Sequence, residues 1–235
     1  MNGAAGEKAR RDARLYATTM SDAAASRLWL AEIGPAQRSD WIERHTPWLS
    51  DTELARLQRI ARPERRAQLL AGHVLLRRLV AACAGGAAPE VEVRSLPDGR
   101  PELIAPAGWR ASLAHSKRWV AALLDSGTRG AGVDIELMRP GRQIETIVKL
   151  ACSVDAQSPQ QAYLLWTQRE AQIKAGSDAA GIWVTTWARN ALAACASAAP
   201  EVALVDLATD APPRPLRLAW TACSRLRFAQ AANGN

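Results

Sequence analysis

Arg27 to Ile33 (RLWLAEI) is apolar at most positions and stops at Gly34-Pro35, which predicts a first β-strand. Ser50 followed by Glu53 is a capping box and predicts a helix through about Ile60. Pro63 suits the first turn of a longer helix running to about Cys83. Its apolar stripe is Leu70, Val74, Leu75 and Leu79, and its basic residues include Arg65, Arg66, Arg77 and Arg78. Gly-rich residues 85–88 lead to a short strand, Val91 to Arg94, and to a turn at Pro97-Asp98-Gly99, where Gly supplies positive φ. Further strands are predicted over Trp119–Leu124 and Gly132–Glu136, separated by a turn over Ser126–Gly130. Pro140-Gly141 then breaks the chain before a helix near Ile144–Ala151, and Gln160–Ala175 is the most helix-like stretch of the second half. Strands near Trp183–Ala188, Val202–Leu207 and Leu216–Ala222 complete the pattern.

Each half mixes helices with short strands, so the expected class is α+β, built as two similar lobes in a pseudo-two-fold arrangement. The expected divisions are a basic tail over residues 1–15, an N-terminal lobe over 16–127 and a C-terminal lobe over 128–235. No sequence repeat relates the two. At 235 residues the chain is long enough for a sizeable core. The longest nearly apolar run, Leu79 to Pro89, falls short of the ~20 residues of a membrane span. Met1 to Arg14 is polar and Arg-rich with no apolar stretch after it, so a cytoplasmic protein without membrane contact is expected.

Thirty basic against twenty-three acidic residues give a net charge of +7, which points to an anionic partner. Nucleic acid, an acidic protein and a multiply phosphorylated small molecule all satisfy that charge. Only Lys8, Lys117, Lys149 and Lys174 are lysines, and lysine is the basic residue to keep where a proton must move. The cysteines (83, 152, 195, 223) and histidines (45, 73, 115) form no zinc spacing. P-loop, dinucleotide-binding and nucleophile-elbow motifs are absent, which removes most common nucleotide-binding and hydrolase readings. Trp41 and Trp48 fall in a loop-rich region, where core packing and surface anchoring are both open.

Three segments carry candidate chemistry. In Gly132-Val-Asp-Ile-Glu136, alternation places Asp134 and Glu136 on one face, about 7 Å apart along the strand, near enough to share one hard cation. The plainer account is the wet face of a half-buried strand. In Trp166 to Lys174, spacings of four put Trp166, Glu170 and Lys174 on one helix face; a solvated Glu–Lys pair explains that equally well. In Ser112-Leu-Ala-His-Ser116, His115 at the mouth of a strand suits phosphate when protonated, or a loop hydrogen bond.

In this order and spacing, SLAHS (112–116), GVDIE (132–136) and WTQREAQIK (166–174) together resemble the 4′-phosphopantetheinyl transferases of the larger, pseudo-dimeric type. Gly72 to Arg77 and Asp98-Gly-Arg-Pro101 are similar to further family features, so the resemblance covers roughly residues 63–176. It implies magnesium-dependent transfer of phosphopantetheine from coenzyme A to a serine of an apo acyl or peptidyl carrier protein, with release of 3′,5′-ADP. It further implies Asp134, Glu136 and Glu170 as metal ligands, Glu170 as base, and Lys174 as the group that neutralises or protonates the departing phosphate. His115, Arg100, Ser116, Arg65 and Arg66 are implied on the coenzyme A side, in a monomer that does not bind nucleic acid.

The chain departs from the family pattern at four places. Ala114 replaces a serine, Gln68 stands in place of a phosphate-binding arginine, and Arg169 replaces a lysine. The stretch between Glu136 and Glu170 is short and lacks an aromatic-rich helix around residues 150–160. These departures keep open a degenerate member that binds carrier or coenzyme A without efficient transfer. Charge alone keeps open a basic nucleic-acid-binding protein.

Overall fold

The computed structural model describes residues 26–105, 108–127, 129–176 and 181–226; the expected tail over 1–15 lies outside the described residues. The first half contains β1 (Ser26–Glu32), α1 (Ser39–His45), α2 (Asp51–Arg59) and α3 (Pro63–Ala84), then β2 (Glu92–Ser95), β3 (Pro101–Ala105), β4 (Arg110–Ser116) and β5 (Trp119–Asp125). The second contains β6 (Gly132–Leu137), α4 (Ile144–Cys152), α5 (Pro159–Ala175), β7 (Gly181–Trp187), β8 (Asn190–Ala196), β9 (Glu201–Val205), β10 (Arg214–Leu216) and β11 (Thr221–Cys223). The class is α+β, as expected.

Two sheets carry the fold, ordered β10-β9-β1-β5-β4 and β11-β7-β8-β6, with β2-β3 as a separate hairpin. Helix α3 covers the outer face of the first sheet through Trp29, Ala31, Val120 and Leu124. The inner face, from Leu28, Leu30, Ala121 and Leu123, packs on Val133, Ile135, Leu192 and Ala194 of the second sheet. Helix α5 covers the far side through Ala171 and Ala175 against Ala193 and Cys195. The layers therefore run helix, sheet, sheet, helix. Strands β1 and β5 are buried on both faces, which is why they read as near-continuous apolar runs. Each fully buried Leu or Ile contributes roughly 1.5–3 kcal/mol.

Local signals for the helices hold. The Ser50–Glu53 capping box is formed, Pro63 opens α3, and Gly99 has φ +86°. By length and hydropathy α3 is long enough to cross a membrane, but 67% of that stretch is buried inside the protein.

Several features differ from the sequence expectations. The expected strand Leu216–Ala222 is interrupted, because β10 pairs with β9 of the first sheet and β11 with β7 of the second. The chain crosses between sheets there, and no local pattern marks that crossing. Strand β8 (NALAACA) went unpredicted because it lacks the β-branched and aromatic residues that signal strands; its small side chains instead fit under α5. Segment 112–116 is strand rather than loop. Trp41 lies in α1 in the core, stacked on His45 at 4.0 Å and donating to the Leu207 carbonyl at 2.7 Å; Trp48 packs edge-on against the same histidine. The first sheet is also completed from the second half of the chain, since β9 runs parallel beside β1.

Candidate active site

The two sheets are joined at their edges by serine side chains. Ser112 Oγ accepts the Val133 N–H and Ser116 Oγ accepts the Leu137 N–H, both at 3.0 Å. The four-residue spacing is equal on both strands, so β4 lies alongside β6 in fixed register without a backbone ladder. Those two hydroxyls satisfy edge donors of β6 that would otherwise be buried unpaired.

Helix α5 reaches β6 through Gly132. A Cβ there would lie 2.0 Å from the Ala171 carbonyl oxygen, so only glycine permits this approach. The approach sets Lys174 over β6, where its ammonium donates to Asp134 Oδ1 at 2.7 Å and to the Val133 carbonyl at 2.9 Å. The expected solvated Glu170–Lys174 pair is therefore not the arrangement: Lys174 bonds across to β6, and Glu170 takes Arg169 at 2.8 Å. Glu136 receives Ser116 Oγ at 3.3 Å and Arg142 at 3.5 Å. Asp134 Oδ2 is buried with no hydrogen-bond partner. Burial pushes the Asp134 carboxyl up to about 6; Lys174 opposes that rise, while Glu136 and Glu170 add to it.

The opposite wall is cationic. Arg65 Nη1 donates to His115 Nδ1 at 2.9 Å and to Gln68 Oε1 at 3.1 Å, and Gln68 Nε2 donates to the Lys117 carbonyl at 2.7 Å. Gln68 is 4% exposed, so it ties Arg65 and the β4–β5 turn to one fixed point on α3. Burial, then the nearby charges of Arg65, Lys174 and Arg56, lower His115 to about 4. A neutral ring is what allows Nδ1 to accept from Arg65. Arg56 donates to the Gly99 carbonyl, and Arg100 pairs with Asp98 at 2.7 Å.

These walls enclose a cleft of about 380 Å³. Asp134, Glu136, Glu170 and Lys174 line it from one side, and His115, Arg100 and Arg65 from the other. Two predicted residues sit elsewhere. The Ser116 hydroxyl is engaged by Glu136 and Leu137, and Arg66 lines a separate cavity beside Ile42 and Leu57. Sequence reading missed Arg56, which reaches the cleft only because Gly99 presents its backbone, and Arg142, which comes from a loop without a motif. It also missed the holding role of Gln68. Trp166 lines the cleft and also packs on the core cluster around Val148 and Tyr163.

The donor types suit a hard cation, and Asp134 Oδ2 is one oxygen left without a hydrogen-bond partner. As the side chains stand, no three acidic, histidine or cysteine groups among the described residues converge to hold a metal ion. Glu136 and Glu170 are turned to arginines instead.

Arginines on one wall of the cleft have the charge and fork geometry that suit phosphate groups, and the carboxylates face them. The chain is similar to the 4′-phosphopantetheinyl transferase HetI of Nostoc sp., 31% identical over 143 residues, which cover 55% of this chain and 60% of HetI. The chain thus spans less than two thirds of that relative's length. No protein-family model matches it.

Proposed function

We propose that this protein transfers 4′-phosphopantetheine from coenzyme A to a serine hydroxyl of an apo acyl or peptidyl carrier protein. The observation that carries this reading is the single cleft in which Asp134, Glu136, Glu170 and Lys174 face Arg65, His115 and Arg100. The likeness to HetI supports it. We read the two sheet-and-helix layers as compatible with the paired lobes of the pseudo-dimeric type, with β9 and β10 crossing into the first sheet.

In the proposed reaction Glu170 takes the serine proton, and the serine oxygen bonds to the phosphorus that carries the pantetheine arm. The bond from that phosphorus to the bridging oxygen breaks, and 3′,5′-ADP leaves with the electron pair. Lys174, already within the cleft, offsets the charge growing on the leaving phosphate. Arg65, Arg100 and His115 hold the nucleotide phosphates, with Arg56 beside them. Magnesium, held by Asp134 with Glu136 and Glu170, would neutralise the diphosphate when bound. The protein is proposed to act as a cytoplasmic monomer, its positive charge serving coenzyme A and an acidic carrier rather than nucleic acid.

Intact-mass spectrometry of apo carrier proteins incubated with the protein, coenzyme A and magnesium tests this. The expected result is a gain of one phosphopantetheine, abolished by EDTA. Binding of coenzyme A without transfer to any carrier in a broad panel would instead favour a degenerate binding protein.

A further inference from the structure

Each carboxylate on the acidic wall already has a basic partner: Lys174 on Asp134, Arg142 on Glu136 and Arg169 on Glu170. Lys174 lines the cleft, whereas the two arginines reach their glutamates without lining it. Arg169 adjoins Glu170 in sequence and travels with it. Arg142 does not: it stands in the loop between β6 and α4, and that loop is deliberately anchored. The Tyr163 hydroxyl, from α5, accepts the Arg139 N–H at 3.0 Å and donates to the Arg139 carbonyl at 3.3 Å. Gly141, with φ +76°, bends the chain, and the Arg142 guanidinium lies 5.8 Å over the Tyr163 ring. The loop thus delivers a cation to Glu136 Oε2, the same oxygen that Ser116 contacts. Asp134 Oδ2, meanwhile, stays buried and unpartnered.

We propose that Arg142 is a tethered counter-ion that occupies Glu136 in place of a divalent cation, so that the cation gains Glu136 only by displacing it. The inference rests on the metal role given to Asp134 and Glu136 above. It accounts for Glu136, whereas Glu170 is held by its own neighbour Arg169. The pair is displaceable, since both side chains are about a quarter exposed (27% and 25%) and solvent screens their attraction. A cation arriving while Arg142 stays would set two positive charges on one carboxylate. Arg142 is therefore a positioning residue that sets the threshold for loading the site.

Mn²⁺ binding, read by electron paramagnetic resonance of the free ion, tests this on the whole chain without turnover. Arg142→Gln is expected to bind Mn²⁺ about fivefold more tightly than the parent protein. Arg139→Gln, which removes the same charge from the same loop, is expected to change it by less than about twofold. Tyr163→Phe, which frees the loop but keeps the ring, should shift affinity in the same direction as Arg142→Gln and serves if that variant fails to fold. Equal or weaker binding by Arg142→Gln, or a gain matched by Arg139→Gln, overturns the role of Arg142 and leaves the metal site standing. Absence of Mn²⁺ binding in both the parent and Arg142→Gln overturns the metal site itself, and the inference with it.

Discussion

Gly132 and Ala171 are in backbone contact: a Cβ on the glycine would stand 2.0 Å from the Ala171 carbonyl oxygen. That contact fixes the height of α5 above β6, and with it the reach of Lys174 to Asp134. Gly132→Val should therefore lower stability by at least roughly 1–3 kcal/mol, the usual cost of overpacking a core. Urea unfolding measures this. A variant as stable as the parent would show that α5 can move away at no cost, and that the glycine does not set the spacing.

Asp134→Ala and Glu170→Gln should each reduce carrier modification by a factor of about 10² or more while circular dichroism stays unchanged. Mass spectrometry of a carrier time course reads the rate. Turnover at the parent level in either variant would refute the assigned roles.

The anion wall makes a separate prediction through Gln68. Its amide holds both Arg65 and the Lys117 carbonyl, so Gln68→Leu leaves the guanidinium held by His115 alone and takes the β4–β5 turn's partner away. Affinity for 3′,5′-ADP, measured by calorimetry, should fall about tenfold, the scale of one hydrogen bond to a charged group. The chemical step with saturating coenzyme A should change far less. An unaltered dissociation constant would show that Gln68 does not hold Arg65 in place for the ligand.

Below the cleft, Glu53 is fully buried and accepts two hydrogen bonds from Arg77, at 2.9 and 2.6 Å, beside a short contact with His73 Nδ1. Burial alone would raise its carboxyl, but His73 and Arg77 outweigh that and hold it at about 2, against an ordinary value of 4.5. A depressed carboxylate contributes its full stability above pH 4.5 and loses it as the pH falls towards 2. Glu53→Gln should cost roughly 3–5 kcal/mol near neutral pH, because Arg77 is left buried without its counter-charge. The gap between variant and parent should close through that acid window in denaturant melts. A gap independent of pH would mean that the carboxylate is not held ionised.

Much of the site was legible as spacing. The alternation of Gly132 to Glu136 placed Asp134 on one strand face, and intervals of four placed Trp166, Glu170 and Lys174 on one helix face. Capping and turn chemistry were equally local: Ser50 with Glu53, Pro63 at a helix start and Gly99 in a turn act over three or four residues, so the sequence alone shows them. The order of SLAHS, GVDIE and WTQREAQIK along the chain then suggested that the three belong to one centre.

Partnership across the chain was a tertiary matter. Local spacing allowed Lys174 to pair with Glu170; close approach of α5 at Gly132 gave it Asp134 instead. Arg56, Gln68 and Arg142 carry no motif, and they acquire roles only through groups that are distant in sequence or set by a loop: the Gly99 carbonyl, the β4–β5 turn and the loop anchored by Tyr163. Strand β8 escaped notice for the same reason, since this alanine-rich run becomes a buried strand only when β6, β7 and α5 surround it. Side-chain periodicity is written into the backbone and can be read one element at a time. Which charge neutralises which is decided by distance and burial, and those exist only once the sheets have packed.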